Sequence, residues 1–265
     1  MTDRRPDILL GASVEGFFYG RAPSAWPTLT QAVGGIVSLG LGVEFWASRG
    51  EDDPEPTSQT VEEIRCICEK APFVSMHTHR ELWRWDPDGL KREIALCHAV
   101  GARTLVLHKG SLGLYDPSSR PDFPAIRRLL QTAQEAGVKL ALENGLDSLW
   151  ALDRVLDEIG HDPASTNLGI CIDVGHAHLT KDAGRQPIRN YLERYRGQLI
   201  HLHLHDNMQD EDDHRLPGEG SIDWPDLLRT LGVIGYEGPA VLELHTADDP
   251  LTALKKGCEF FDALI

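Results

Sequence analysis

One cadence constrains this chain more than anything else in it. Short β-branched or leucine-rich runs alternate with longer amphipathic stretches, and the pair recurs about every thirty residues. The runs are DILLGAS from Asp7, GVEFW from Gly42, FVSMH from Phe73, TLVLH from Thr104, KLALE from Lys139, LGICID from Leu168, LIHLHLHD from Leu199 and PAVLEL from Pro239. Helical spacing falls between them, over 61–70, 88–100, 125–136, 148–159, 225–231 and 251–264. In SLGLGVEFW, AVGARTLVL, EAGVKLALE and GVIGYEGPAVLEL a glycine stands where each helix must stop. Glycine takes the left-handed conformation that ends a helix before the next strand.

Eight serial βα units predict a closed (β/α)8 TIM barrel. An open doubly wound sheet would show a glycine-rich phosphate loop after its first strand, and GASVEG lacks the G-x-G-x-x-G pattern. No nucleotide cofactor is expected. With 265 residues, 41% of them hydrophobic, and no linker-like segment, the chain reads as a single domain over 1–265.

A barrel of this kind carries its chemistry at the carboxyl ends of its strands. Those ends supply His77, His108, Glu143, Asp173, His203 and Glu243. Any one of these could be a hydrogen-bonded structural residue, but six at equivalent positions point to a bound ion. Glu143, Asp173 and Glu243 converging on one rim would repel one another and raise their own pKa values unless a cation compensated them. With His203 they form an oxygen-rich set suited to Mn, Mg or Co, and further imidazoles shift the preference towards Zn. Such imidazoles are at hand: in CIDVGHAHLT, His176 lies one helical turn past Asp173, while His178 reads as a packing or capping residue. Asp212 and His214, two apart in EDDHRLPGEG, would share one side of an extended segment. Along LIHLHLH the histidines face into the barrel and the leucines face the helices, with His203 at ligand height and His205 nearer the loop.

Charge narrows the partners. With 26 basic against 41 acidic residues the net charge is −15, and no basic run is visible, so a small substrate is favoured over nucleic acid. Cys66, Cys68, Cys97, Cys171 and Cys258 form an odd, scattered set that reads as reduced thiols. Cys66 and Cys68 should point to different faces of one helix. MTDRRPD has no signal-peptide core, and no run of eighteen apolar residues exists. A cytoplasmic protein without membrane association is expected, and homo-oligomerisation is left open.

The motifs SMHTH, LVLHKGS, LALENG, GICIDVGHAH, HLHLHDN, DDHRLPGEGSIDW and VLELH, in this order, resemble the xylose isomerase-like TIM barrels. That superfamily includes sugar phosphate isomerases and epimerases together with type IV AP endonucleases. The resemblance implies a four-ligand metal site of Glu143, Asp173, His203 and Glu243. It also implies that His77, His108, His176, Asp212 and His214 match positions that complete a three-zinc cluster in the endonuclease branch. Two departures from that branch are Lys109 in HKGS, where proline is usual, and HLHD in place of HLND. The loop ASRGEDDPEPTS sets Glu51, Asp52, Asp53 and Glu55 against Arg49, a poor rim for DNA. Glu44 in GVEFW looks like the isomerase form of that strand and is given no chemistry.

The resemblance therefore implies a metal-dependent sugar or sugar-phosphate isomerase or epimerase that removes a proton alpha to a carbonyl through a metal-stabilised enediolate. Glu143 and Glu243 would serve as base and acid on the two faces of the intermediate. His176 and Lys109 would polarise substrate oxygens. Trp83 or Trp85 would stack on a sugar face, Arg84 would meet a phosphate or carboxylate, and His205 and Glu219 are further substrate-binding candidates. Asp223 is expected to cap the helix after PGEGSI. The alternatives are a zinc phosphodiesterase on abasic DNA and a metal-dependent polyol dehydratase.

Overall fold

A computed structural model of the chain describes residues 6–46, 56–78, 84–146, 149–160, 166–180, 184–245 and 249–264. Eight strands, β1 (Asp7–Ser13), β2 (Gly42–Trp46), β3 (Val74–His77), β4 (Thr104–Leu107), β5 (Lys139–Glu143), β6 (Leu168–Asp173), β7 (Leu199–Leu204) and β8 (Glu237–Leu242), close in sequence order into one barrel. Every pairing is parallel, including that of β8 with β1. The helices are α1 (Leu29–Ser38), α2 (Ser58–Cys68), α3 (Pro87–Val100), α4 (Phe123–Glu135), α5 (Trp150–Ile159), α6 (Val174–Leu179), α7 (Pro187–Tyr195), α8 (Trp224–Ile234) and α9 (Pro250–Leu264).

The alternation within each strand sorts the core. Leu105 and Leu107, Leu140 and Leu142, Ile170 and Ile172, and Leu202 and Leu204 join one buried cluster with helix residues such as Ile94, Leu130, Val155 and Leu231. The opposite faces of β4, β5 and β6 place Val106, Ala141 and Cys171 in a small inner cluster. The glycines expected to stop helices do so: Gly40, Gly101, Gly137 and Gly235 have φ of 77°, 83°, 69° and 72°. Asp223 caps α8, accepting a 3.0 Å hydrogen bond from Asp226 N–H. On α2, Cys66 is exposed and Cys68 buried, and all five thiols are free.

Some boundaries differ from the sequence reading. β4 ends at Leu107 because His108 turns into a 3-10 segment, and β8 begins two residues earlier, leaving Glu243 just past its end. Between β6 and β7, Ile170 pairs with Leu199 but Cys171 with His201, so Ile200 is one residue extra. Ile200 leans over Gly169, where an added Cβ would lie 2.3 Å from its Cδ1. No helix among the described residues is long and apolar enough to cross a membrane.

The amino-terminal end of the barrel depends on missing side chains. Gly11 and Gly42 are register partners, and the Phe73 ring occupies the space before both. A Cβ on Gly42 would lie 2.1 Å from that ring. Gly42→Ala should therefore destabilise the fold by about 1–3 kcal/mol through overpacking, and Phe73→Leu should restore part of the loss. Chemical denaturation of the single and double variants checks this, and an unchanged midpoint for Gly42→Ala would refute the packing.

Candidate metal centre

Six strand ends deliver ionisable groups to one rim, as parity requires. His77, Glu143 and Asp173 are the last residues of β3, β5 and β6; His203 lies within β7; His108 and Glu243 follow β4 and β8. All but His108 are buried. Asn144 fastens two of these ends together, donating to Asp173 O at 3.0 Å and accepting from Asp173 N–H at 2.7 Å.

His203 stands at the middle of the ring. Its Nδ1 lies 3.5 Å from Glu143 Oε1, 3.4 Å from Glu243 Oε2 and 3.9 Å from Asp173 Oδ2. Its Nε2 is 3.0 Å from Glu44 Oε1. The other oxygen of Glu44 lies 2.9 Å from His201 Nε2 and accepts a hydrogen bond of 2.9 Å from Ser75 Oγ. Glu44 is fully buried and sets the ring so that Nδ1 meets the carboxylates.

Two imidazole-rich groups flank this centre. His77 Nε2 and His108 Nε2 lie 3.1 and 3.6 Å from Glu143 Oε2. Trp46 stacks on His77 at 4.6 Å, and His77 Nδ1 reaches Thr78 O at 2.9 Å. On the far side Asp173 caps α6, accepting from His176 N–H at 2.6 Å. That cap lifts the His176 ring to Asp212 Oδ2, 3.1 Å away, with His214 Nε2 3.5 Å from Asp212 Oδ1. His176 Nδ1 and His214 Nδ1 face the carbonyls of Asn144 and Glu243 at 3.0 and 3.1 Å. With Nδ1–H donated to a carbonyl, either ring in its neutral form would present its Nε2 lone pair to a cation. His205 Nε2 lies 2.9 and 3.1 Å from the two oxygens of Asp173. Gly175 makes that possible, since a Cβ there would sit 1.9 Å from the His205 ring.

A cavity of about 410 Å³ opens over these groups, with Glu15, Trp46 and His245 in its wall. The xylose isomerase-like TIM barrel family matches residues 38–264. The chain belongs to that family. It is 30% identical over 159 residues to probable endonuclease 4 of Mycoplasma pneumoniae, 54% of each chain. It is 33% identical over 82 residues to fructoselysine 3-epimerase of Shigella flexneri, 30% of each chain. The chain spans about half the length of the curated relatives it matches first. Among solved structures, a D-tagatose 3-epimerase-like protein shares the fold with a TM-score of 0.71 and 19% identity, over 97% of this chain and 98% of that one.

In this xylose isomerase-like barrel the donor atoms suit a divalent cation. Asp173, His203 and Glu243 offer ligand atoms within 4.8 Å of one another, as do His77, His108 and Glu143, and likewise His176, His205, Asp212 and His214. Among the described residues His203 Nδ1 and Glu243 Oε1 are buried without a hydrogen-bond partner, a costly arrangement that a bound cation relieves. Mutual repulsion was expected to raise all three carboxylates, but only one rises. Burial lifts Glu243 well above the ordinary carboxylate range; His203 opposes the rise, and Glu143 and Glu44 add to it. Burial also acts on Glu143 and Asp173, yet His108 and His203 hold the first well below its usual value, and His176 and His205 hold the second at about 2. Burial brings His108 down to about 4, so it is neutral at pH 7.

The remaining sequence candidates are dispersed. Lys109 Nζ lies 5.0 Å over the Trp150 ring, Arg84 and Glu219 are exposed, and none of the three lines the cavity. Trp85 packs against the core. Trp83, and Arg49, Glu51, Asp52, Asp53 and Glu55 of the acidic loop, lie outside the described residues. His178 Nε2 pairs with Ser221 Oγ at 3.0 Å. Asp212 and His214 do meet, through a bend and not an extended segment, because His214 has φ 49°. Three residues went unassigned in the sequence: Glu44, and the cavity-wall pair Glu15 and His245, which lie 3.3 Å apart. Glu15 lies two residues past β1 and His245 three past β8, so inspecting the residues that follow each strand would have found them.

Two outcomes follow for the metal. Because burial raises Glu243 above the ordinary carboxylate range and a ligand must be deprotonated, binding of Mn²⁺ to the apo-protein should compete with protons and weaken as pH falls; calorimetric titration over a pH series checks this, and an affinity unchanged with pH would contradict the assignment. Glu44→Gln should weaken Mn²⁺ binding about 10- to 100-fold without changing the far-UV circular dichroism.

Proposed function

We propose that this protein is a divalent-metal-dependent isomerase or epimerase of a sugar or sugar phosphate. The observation that carries the reading is the approach of Glu143 from β5 and Glu243 from the end of β8 to a single nitrogen of His203, at 3.5 and 3.4 Å, beneath an open cavity. A divalent cation held by Glu143, Asp173, His203 and Glu243 would supply Lewis-acid stabilisation to negative charge developing on substrate oxygens. The two glutamates, from strands well apart in the ring, address opposite faces of the carbon beside the carbonyl. One removes its proton and the other supplies one, the task of a general base and a general acid. His176, on α6 in the cavity wall, would orient a substrate oxygen. The name of the fructoselysine 3-epimerase relative supports this reading.

One observation favours a second reading. The imidazole-rich groups at His77 and His108 and at His176, His205, Asp212 and His214 would give a polynuclear centre, which suits phosphodiester hydrolysis, and the likeness to probable endonuclease 4 agrees. Two or three zinc ions per chain with cleavage of an abasic duplex would select it.

The metal-reconstituted protein should introduce solvent deuterium at one carbon of a ketose in a panel followed by NMR. Glu143→Gln and Glu243→Gln should each slow exchange by about 100-fold or more, and Asp173→Asn should lower bound metal first. Full turnover in either glutamine variant would refute the two-carboxylate scheme.

A further inference from the structure

Beside the cavity over the candidate centre lies a second, of about 270 Å³. Glu15 and Trp46 line both, so the two are adjoining chambers with these side chains as the partition. The second chamber is walled by aromatic rings. Phe18 and Trp26 meet edge to face at 5.6 Å, and Tyr19 is fixed by stacking on His245 at 3.6 Å. The one polar atom of the Trp26 ring is spent within its own loop, donating to the carbonyls of Phe18 and Arg21 at 3.1 and 3.0 Å. Arg21 likewise braces the loop, donating to Gly16 O at 2.9 Å and Tyr19 O at 3.1 Å.

The chamber holds Arg21 in its wall, with Nη1 already donated to two loop carbonyls, and is otherwise mostly aromatic. Its doorway carries the acidic Glu15, beside His245 at 3.3 Å, and its walls offer faces that gain by excluding water. Its size fits an apolar group, since an apolar cavity of roughly 150 Å³ takes up benzene. We infer that the substrate carries an apolar, aryl-sized substituent that occupies this chamber while its polyhydroxylated part lies over Glu143 and Glu243. The inference rests on the sugar-directed reading for the polyhydroxylated part, and on the chamber alone for the substituent.

The test uses the manganese-loaded protein and two polyols that cannot turn over, sorbitol and its 1-O-benzyl ether, titrated by calorimetry. Burial of the phenyl group should make the ether bind about 10- to 100-fold more tightly. Trp26→Ala, and Tyr19→Ala at an exposed position, should each reduce that preference to about threefold or less. Saturation-transfer NMR on the unmodified protein should place the strongest transfer on the phenyl protons. Equal affinity for the two compounds, including no binding of either at millimolar concentration, would overturn the inference, as would a preference unchanged in both variants. Solvent exchange into a ketose by the same sample reports on the proposed activity separately, so failure of the substituent and failure of the reaction are distinguishable.

Discussion

Everything at the carboxyl end of this barrel turns on His203. A buried imidazole between Glu44 on one nitrogen and three converging carboxylates on the other has no packing rationale, since ionisable groups are the costliest side chains to take out of water. The strands bring the carboxylates close; the imidazoles keep Glu143 and Asp173 ionised; Glu243 is left over, buried and lifted above its usual range. The imidazoles offset only part of the negative charge, and the divalent cation we propose would complete the compensation.

The barrel was legible because its two periods are local. Alternation along each strand and glycine after each helix are set by neighbouring residues, and eight repeats of one unit admit few closed arrangements. The rim residues were legible for the same reason, each lying at or near the end of a recognisable run. Position along a strand was enough to bring out His77, Glu143, Asp173 and Glu243 with no knowledge of which groups would touch.

What escaped the sequence was pairing across the ring. Glu44 meets His201 and His203 from β2, more than half the chain away, and nothing near it in sequence announces that contact. His205 was expected by the loop but is buried at the centre, because the chain past β7 stays tied down where Asp206 bridges Arg215. His214 reaches Asp212 through a left-handed turn that composition alone does not signal. The second chamber depends on the loop from Phe18 to Trp26 folding its aromatic rings towards Glu15, a tertiary outcome of short-range backbone hydrogen bonds.

The most direct test of the central claim is anomalous diffraction from crystals of the protein grown with Mn²⁺. A peak bonded to Glu143, Asp173, His203 Nδ1 and Glu243 is the predicted result. A map with no peak among those four side chains, at a manganese concentration that loads the protein in solution, would contradict it.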